Sequence, residues 1–445
     1  MDKKKILIIL GVLIFLILGL LVVLLLTQND DPGNGDDPNR PPQTNSITLE
    51  YWGLWESEAI MQPLIDKYQN ANSNVKILYT QKSFSQYETT LFTRLEQSAE
   101  GGSPAPDIFR INNTWLNKFQ SYLSPVPASV MSTSEYAETF YPTAVNDFTG
   151  TDMNIYAIPL EIDGLALFYN KEILSEIGLS QPPSDWDSMI DAATQLTKYD
   201  EKGNITRAGL GMGGSTNVMH SADILSLLFL QNGVNISKNY NTEVDLSSQK
   251  AVDAMTFYTS FVKDHKVWSE DLRSDLELFF RGELAFFFGP SWRAFDIINS
   301  NPTIEFGMAP TPTLVGDEVY YSMYWAEAVS GTSENPTEAW KFIKYLTEQQ
   351  QQRDFFNNSM KIGGRAFGEP YARRDMASEL ESNVYVGSII KMAPNMKAWK
   401  MGEQTYIETE LRTAIRDVLV NDREPRTALR QAQDSINTKL ATSIK

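Results

Sequence analysis

Acidic side chains are the first residues of this sequence whose types and spacing could do chemistry. Glu56 and Glu58 follow one apolar stretch, and Glu161 and Asp163 follow another. Hydrolysis of a glycosidic bond needs two carboxyl groups that flank the bond. Spacing along the chain does not give the separation of these groups in space. A glycoside hydrolase therefore stays open, beside the simpler interpretation that these are solvated surface acids.

Other enzyme motifs either lack a required residue type or lie in a sequence context that does not suit them. The chain has no cysteine, and its two histidines, His220 and His265, lack partners at the spacing of a metal site. Residues 209–214 match the glycine pattern of dinucleotide-binding loops, but the polar residues 204–207 stand where such a loop needs an apolar strand. Cysteine-based catalysis is excluded, and we expect no metal and no organic cofactor.

Tryptophans beside turns or strand ends are the other candidates for chemistry. Several of the 9 tryptophans have this position: Trp52, Trp55, Trp292, Trp325 and Trp399. One face of a pyranose ring is apolar and stacks on an indole, while its hydroxyl groups bind polar side chains. Covering about 100 Å² of a sugar ring contributes about 2.5 kcal/mol. Two or three such contacts, with hydrogen bonds, reach the roughly 8 kcal/mol of micromolar affinity, so the pattern favours a carbohydrate ligand.

The elements that must position these residues follow from hydrophobic periodicity. Apolar residues alternate over 47–51 and again over 75–79, which predicts strands, and helical spacing follows each strand, over 60–68 and 84–95. A short strand over 107–111 comes after a proline-rich break. This β-α-β-α-β order predicts a largely parallel sheet with helices on both faces. In such sheets, ligands bind beyond the carboxyl ends of the strands.

The middle and the C-terminal part continue the α/β pattern, with no evident internal repeat. The apolar runs 156–159 and 165–169 fit strands, and apolar periodicity predicts further helices over 186–196, 222–230, 251–262 and 407–440.

Length and charge limit the class of protein. The 445 residues are more than one core usually organises, so we expect two lobes. The formal net charge of −18 argues against nucleic acid, because phosphate binding needs a basic surface.

The N-terminal segment predicts a membrane anchor. Ile6–Leu26 is an uncharged run of 21 residues and would span about 31 Å as a helix, which matches a bilayer. Three lysines precede the run and aspartates follow it, so residues 1–5 are predicted to be cytoplasmic and the rest extracytoplasmic. A cleaved signal peptide is the rival, but its apolar core is usually shorter and ends in small residues. Residues 27–46, rich in Asn, Asp, Pro and Gly, predict a disordered linker.

Several stretches, taken in order, carry a resemblance to a known family. They read ITLEYWGLWE, PAPDI, YAIPLEIDGLALFYNK, PSDWD, FFRGELAFFFGPSW, FGMAPT and AWKFIKYL between residues 47 and 346. In this order and spacing the chain resembles the family 1 extracellular solute-binding proteins of ABC sugar importers, which are relatives of maltose-binding protein. The resemblance covers nearly all of residues 47–440. The chain differs from many members in having a predicted helical anchor where they carry a lipidated cysteine.

The resemblance implies an α/β fold of the periplasmic-binding-protein-like type II class, with two discontinuous lobes that close like a hinged trap. It places the chain crossings between the lobes near Pro159, near Pro310 and within 356–363. The implied division is 47–159 and 310–356 for lobe 1, and 160–309 and 357–445 for lobe 2.

The resemblance also implies residue roles. Asp163 matches a sugar-binding acid after the first crossing, Trp292 matches a stacking aromatic, and Trp399 is a weaker match to a C-terminal aromatic. With the residues at strand ends and crossings, the expected ligand site consists of Trp55, Glu56, Asn112, Asn113, Asp163, Trp292, Trp325, Arg365 and Trp399.

The resulting hypothesis is a binding protein and not an enzyme. We expect a monomer, anchored by a single pass in the cell membrane, that delivers a mono- or oligosaccharide to ABC permease subunits. Two alternatives stay open. One is a membrane-anchored glycoside hydrolase that uses two of Glu56, Glu161 and Asp163, and the other is the same fold holding a peptide, polyamine or phosphate ester.

Overall fold

A computed structural model describes residues 46–238, 242–314 and 318–443. These residues belong to one compact unit that begins at Ser46. The predicted anchor Ile6–Leu26 and residues 27–45 of the predicted linker lie outside the described residues. Within the described part of the chain, no helix is both long and apolar enough to cross a bilayer.

The strands alternate with helices along most of the chain. In the described residues the strands are β1 (Ile47–Gly53), β2 (Val75–Gln81), β3 (Ile108–Asn112), β4 (Leu123–Ser124), β5 (Ile158–Pro159), β6 (Ala166–Asn170), β7 (Lys198–Tyr199), β8 (Ile205–Gly211), β9 (Ser237–Lys238), β10 (Glu243–Val244), β11 (Leu284–Gly289), β12 (Phe306–Ala309), β13 (Tyr320–Tyr321), β14 (Trp325–Ser330) and β15 (Met396–Lys397). The α-helices are α1 (Glu58–Ala71), α2 (Tyr87–Ala99), α3 (Leu116–Phe119), α4 (Thr133–Thr139), α5 (Pro142–Phe148), α6 (Lys171–Ser175), α7 (Trp186–Leu196), α8 (Ser221–Gln231), α9 (Gln249–Lys263), α10 (Asp275–Phe280), α11 (Arg293–Ser300), α12 (Pro336–Leu346), α13 (Gln349–Lys361), α14 (Gly387–Met392), α15 (Gln404–Val420) and α16 (Pro425–Ser443).

Side-chain caps explain where several helices begin. Asp185 Oδ1 accepts a hydrogen bond from Ser188 N at 2.8 Å, so α7 starts at Trp186, as predicted. Ser248 and Ser274 cap α9 and α10 in the same way. Each cap satisfies a backbone N–H that has no partner inside its helix.

Sheet 1 has the order β2-β1-β3-β14-β4, and β5 also pairs with β14. Strands β1, β2 and β3 are parallel, which confirms the predicted β-α-β-α-β unit. Successive residues of β3 point to opposite faces of the sheet. Ile108 packs in the cluster that contains α1 and α12, and Phe109 packs in the cluster that contains α2. Helices therefore cover both faces, as the pattern indicated.

Sheet 2 has the order β12-β6-β11-β8-β7. Strands β8 and β11 are parallel, while β6 is antiparallel to both β11 and β12. Phe287 stacks on Phe168 with ring centroids 4.7 Å apart, and on the other face Phe288 contacts Trp186 at 6.0 Å. These aromatic contacts fill the core on both sides of β11.

Three segments connect the two sheets and lie side by side. The first crossing, residues 160–165, runs from β5 to β6, and Leu165 N donates to Tyr321 O at 3.0 Å in the second crossing. On its other side, Ile162 N donates to Pro370 O at 3.0 Å, in the segment after α13 that forms the third crossing. Backbone hydrogen bonds thus join all three connections where one sheet passes to the other.

The second and third crossings differ in position from those that the resemblance implied. Pro312 and Val319 stay against sheet 2, because Gln231 Nε2 donates to the carbonyl oxygens of both, and the chain enters sheet 1 at Trp325. Residues 356–361, which were expected to cross, instead belong to α13. One face of α13 is buried against α1, and Asn358 Nδ2 donates to Ile60 O at 3.2 Å.

Candidate functional site

Aromatic side chains collect at the carboxyl edge of sheet 1, where β1, β2 and β3 end and β14 begins. We call this group the aromatic edge; its members are Trp55, Phe84, Tyr87, Trp115 and Trp325. Trp325 is central, with ring centroids 5.0 Å from Trp115, 6.0 Å from Phe84, 6.1 Å from Trp55 and 6.3 Å from Tyr87. The parallel strands bring these residues together from distant parts of the chain.

Two members of the aromatic edge are exposed. Trp55 is 39% exposed and Phe84 is 54% exposed, and their rings lie 5.1 Å apart. Trp325 is 6% exposed, so it supports the exposed pair from below and presents little surface of its own. Of the predicted site residues on this edge, only Trp55 therefore offers an open ring face.

The sequence interpretation missed Phe84. Its spacing to Tyr87, Leu91 and Leu95 predicted a buried helical face, but Phe84 lies in a short 3₁₀ turn before α2. That turn changes the direction of the side chain, so Phe84 is exposed beside Trp55. Its position directly after β2, at a carboxyl end, was the available signal.

A buried ion cluster lies beneath the aromatic edge. Its members are Glu56, Arg110, Glu161, Glu327, Arg365 and Glu369. Arg110 forms ion pairs with Glu56 at 2.9 Å and with Glu327 at 2.8 Å, and all three side chains are at most 1% exposed. Arg365 pairs with Glu369, and its Nη2 donates to the backbone oxygen of Trp55 at 3.0 Å. The cluster thus supports the backbone that carries the exposed tryptophan.

The structure therefore places Glu56 and Arg365 differently from the expected ligand contacts. Burial raises the pKa of Glu56, although Arg110 opposes that shift. Glu56 faces Arg110 inside the protein, and Arg365 acts on Trp55 through the backbone. Each residue lies at the predicted strand end or crossing, but the polar groups that it contacts belong to the protein.

The carboxyl edge of sheet 2 is built from hydrogen-bonding groups around the end of β11. Asp163, in the first crossing, accepts hydrogen bonds from Ser291 Oγ at 2.6 Å, from Ser291 N at 3.1 Å and from Gly164 N at 2.7 Å. Burial raises the pKa of Asp163 to about 7, despite these donors. Asp163 thereby ties the crossing to the segment that presents Trp292.

Trp292 is half-buried at the start of α11, beside a polar relay that the sequence did not reveal. Arg293 Nε donates to His220 Nε2 at 3.3 Å, and His220 Nδ1 lies 3.0 Å from Asp223 Oδ2. The sequence interpretation gave His220 no role, because Arg293 is 73 residues away and no local pattern links them. This relay fixes Arg293 next to the predicted stacking residue.

The remaining predicted residues are buried and hold loops together. Asn112 Oδ1 accepts from Thr114 N at 3.0 Å, and Asn113 Nδ2 donates to Asp147 at 3.1 Å. Trp399 is 5% exposed, and its Nε1 donates to Ser226 Oγ at 3.3 Å. None of these three side chains presents an open face in the described residues.

A contact between α11 and the third crossing links the two edges. Phe295 lies three positions after Trp292 and stacks on Phe367, with centroids 4.4 Å apart. Phe367 lies between Arg365 and Glu369, the residues that support Trp55. The exposed ring of sheet 1 and the polar edge of sheet 2 therefore belong to one connected arrangement.

Two cavities lie away from these edges. One, of about 650 Å³, follows the outer strand β12 and is lined in part by Phe306 and Tyr385. The other, of about 850 Å³, lies between α2 and α16 and is lined in part by Phe92 and Tyr122. Neither contains a residue of the aromatic edge or of the Asp163–Ser291 pair.

The fold and sequence match one family. Residues 53–353 match the bacterial extracellular solute-binding protein family, and the chain belongs to that family.

Sequence relatives include two curated binding proteins. The chain is 22% identical to the maltotriose-binding protein of Pyrococcus abyssi over 301 residues, which is 65% of this chain and 59% of that protein. It is 21% identical to the multiple sugar-binding protein of Streptococcus mutans over 346 residues, 76% of this chain and 79% of that protein. The chain thus spans only 59% of the length of the maltotriose-binding protein.

Solved structures confirm the two-lobed α/β architecture. The sugar-binding protein MalE of Xanthomonas citri aligns with a TM-score of 0.73 at 20% identity, over 89% of this chain and 98% of that one. A cyclo/maltodextrin-binding protein complexed with maltotetraose aligns with a TM-score of 0.72 at 17% identity, over 91% and 99% of the two chains. The two-lobed α/β fold expected from the resemblance is therefore confirmed.

Proposed function

We propose that this protein captures a carbohydrate on the extracytoplasmic side and delivers it to an ABC importer. One observation carries the proposal: two exposed rings, Trp55 and Phe84, stand at the carboxyl edge of sheet 1, and a polar edge lies across the crossings. Membership of a solute-binding family supports capture, and the relatives named for maltotriose and multiple sugars support carbohydrate.

The geometry suits a sugar ring better than an ion. Trp55 and Phe84 offer adjacent apolar faces, and each stacked ring contributes about 2.5 kcal/mol. Arg293 and the other groups at the sheet 2 edge offer donors and acceptors for hydroxyl groups. The second candidate ligand for this fold is a peptide, polyamine or phosphate ester. Stacking on the exposed rings would contribute less to the affinity for such a ligand than for a sugar.

The burial of the candidate acids supports binding without hydrolysis. Glu56, Glu161 and Asp163 are all at most 5% exposed, and protein groups surround them. A hydrolase would need two carboxyl groups that face the substrate. Incubation with oligosaccharides tests this point: intact sugars support a binding protein, whereas cleaved products would establish the hydrolase alternative.

Closure of two lobes about the crossings is the proposed mechanism of capture. The two lobes are proposed to divide at the observed crossings, which act as the hinge. A ligand that contacts both edges binds the closed form better and shifts the equilibrium toward it by its differential affinity. We propose that the closed monomer then docks on permease subunits.

The proposed location rests on the N-terminal run. Ile6–Leu26 is proposed to be a single membrane-spanning anchor, with the binding domain outside and residues 1–5 in the cytoplasm, because lysines precede the run and aspartates follow it. Carbonate extraction of membranes checks the anchor. Release of the full chain into the supernatant would contradict it, whereas retention that is lost on deletion of residues 6–26 supports it.

Titration calorimetry of the full-length protein in mild detergent tests the carbohydrate proposal. The panel contains maltotriose, maltotetraose, mannobiose and tagatose, with spermidine and a tripeptide for the second candidate ligand. We expect saturable binding of at least one sugar and none of the other compounds. Saturation only by spermidine or the tripeptide, or silence for every sugar, would contradict the proposal.

A further inference from the structure

The ion cluster beneath Trp55 is unbalanced. Its four carboxyl groups and two guanidinium groups would leave a net charge of −2 if every group were ionised. The side chains of Glu161 and Glu327 are 5% and 0% exposed, and that of Glu369 is 19% exposed. An uncompensated charge in such a place is costly, and a carboxyl group there takes up a proton instead.

Unpartnered oxygens point to the same conclusion. Glu56 Oε1, Glu161 Oε2 and Glu327 Oε2 are buried without a hydrogen-bond partner among the described residues. The antiparallel bridge between residues 161 and 371 makes Glu161 and Glu369 diagonal neighbours on one face of the pairing, where two long side chains can reach each other. An ionised carboxylate only accepts hydrogen bonds, so a bond between two carboxyl groups requires a proton on one of them.

The pair stands where two crossings meet. Glu161 belongs to the first crossing, and its backbone bridges Tyr371 of the third crossing in antiparallel pairing. Glu369 also pairs with Arg365, which donates to the backbone oxygen of Trp55. Glu161 is therefore linked to Trp55 through Glu369 and the ion pair of Glu369 with Arg365.

We propose that a single proton shared by Glu161 and Glu369 holds the first and third crossings together and keeps Arg365 in place under Trp55. Arg365 and Glu369 then act as positioning residues for the proposed sugar platform, and loss of the proton loosens both the hinge and the platform. The positioning role of Arg365 and Glu369 rests on the proposed function, whereas the shared proton can be tested without any sugar.

The surrounding charges decide which carboxyl group carries the proton. Burial raises the pKa of Glu161 well above its usual range, with Glu369 and Glu56 adding to the shift and Arg110 opposing it. Burial also acts on Glu369, but Arg365, the hydrogen bond from Glu161 and Arg110 together lower its pKa. Glu161 is the donor in this arrangement and Glu369 the acceptor. Around the pair, Glu327 forms an ion pair with Arg110 and accepts a hydrogen bond from Tyr51, and the charge of Glu369 also acts on Asp163.

The direction of the pH effect follows from the raised pKa of Glu161. The stability that the shared proton contributes is fully present below the pKa of an unfolded glutamate, about 4.3. It is lost as the pH rises through the higher value of the folded protein. Alkaline conditions therefore weaken the contact between the two crossings.

Urea unfolding of the full-length chain in mild detergent, from pH 5 to pH 8.5, tests the proposal. In Glu161→Gln the neutral amide donates to Glu369 at every pH. The free energy of unfolding of this variant should therefore depend on pH less steeply than that of the wild type, by the contribution of one titrating proton. We expect the unfolding constants of wild type and variant to diverge by up to tenfold per pH unit. Asp163 and Glu408, whose pKa values burial raises to about 7, titrate in both proteins and cancel in the comparison. The exposed control Glu58→Gln should follow the wild type, and parallel curves for Glu161→Gln and wild type would overturn the proposal.

Hydrogen exchange of the wild type supplies a second measurement if Glu161→Gln does not fold. The amide of Ile162, which donates to Pro370 O, reports on the contact between the crossings. After correction for the intrinsic rate, we expect its protection to fall by at least tenfold from pH 6 to pH 8.5 relative to the amides of β11. Constant relative protection would overturn the proposal.

Discussion

The carboxyl edges of the two sheets are built from different kinds of side chain. The edge of sheet 1 presents two exposed rings above a buried ion cluster, and the rings are held by other rings. The edge of sheet 2 presents one half-buried tryptophan among hydrogen bonds that Ser291 donates to Asp163 and Arg293 donates to His220. A sugar has apolar faces and polar rims, so one edge matches its faces and the other matches its hydroxyl groups.

The difference also concerns how each edge is supported. At sheet 1 the supporting charges are inside the protein, where loss of a partner leaves a buried charge. At sheet 2 the Arg293–Asp296 pair is partly open to solvent, where such pairs contribute little. The comparison therefore predicts that substitutions at the first edge act on stability and affinity more strongly than those at the second.

Removal of Arg110 should have the largest effect. Arg110→Ala leaves Glu56 and Glu327 buried without their cation, which costs about 3–5 kcal/mol in the free energy of unfolding. Arg293→Ala, at the edge of sheet 2, is the matched control and should cost less than about 1 kcal/mol. Urea unfolding at pH 7 measures both. Equal losses for the two variants would remove the distinction between the edges.

Removal of the exposed ring at sheet 1 should come next. Trp55→Ala should lower the affinity for the sugar that binds most tightly by about 60-fold, because about 2.5 kcal/mol of stacking is lost. Calorimetric titration measures this change. Tyr199→Ala, which removes an exposed ring from β7, is the control and should bind as the wild type does. An unchanged affinity for Trp55→Ala would exclude the aromatic edge as the platform.

Substitution of Asp163 tests the polar edge. Asp163→Asn keeps the shape but cannot accept all the hydrogen bonds from Ser291 and Gly164, so the free energy of unfolding at pH 5 should fall by about 1–2 kcal/mol. The folded pKa of about 7 lies above the unfolded value. The contribution of Asp163 is therefore full below pH 4 and is lost as the pH rises through about 7. The difference between variant and wild type should narrow by pH 8.5, and a difference that widens would contradict this assignment.

The smallest expected effect concerns Lys82. Its ammonium lies 4.0 Å from the centroid of the Trp52 ring, next to the aromatic edge. Lys82→Met keeps the length of the side chain and removes the charge, so the free energy of unfolding should fall by about 0.5–1 kcal/mol. Lys250→Met, on α9, is a control that should change less. Thermal unfolding at low and high salt separates the charge effect from packing.

The sequence predicted local features well where a short pattern determines them. The bounds of α7 follow from the cap at Asp185 and the apolar spacing behind it, and the parallel strands of sheet 1 follow from alternation. Positions at strand ends were also recognised, so Trp55, Asp163 and Trp292 lie at the two edges as expected.

Burial and long-range pairing could not be predicted. Trp325 and Trp399 stand near turns like Trp55, yet they are buried, because the packing of distant elements decides which ring remains open. Arg110 and Glu327 are separated by 217 positions, and antiparallel pairing of β3 with β14 brings them together. No spacing rule within one segment contains that information. The same limit explains why the sequence did not predict the ion pair between Glu56 and Arg110.

A crystal structure of the full-length protein with the tightest-binding sugar of the panel tests the central claim most directly. The account predicts a sugar ring stacked on Trp55 and Phe84, with its hydroxyl groups toward the Trp292 edge and the crossings as the hinge. A sugar bound along β12, or in the cavity between α2 and α16, with Trp55 and Phe84 uncovered, would contradict the account.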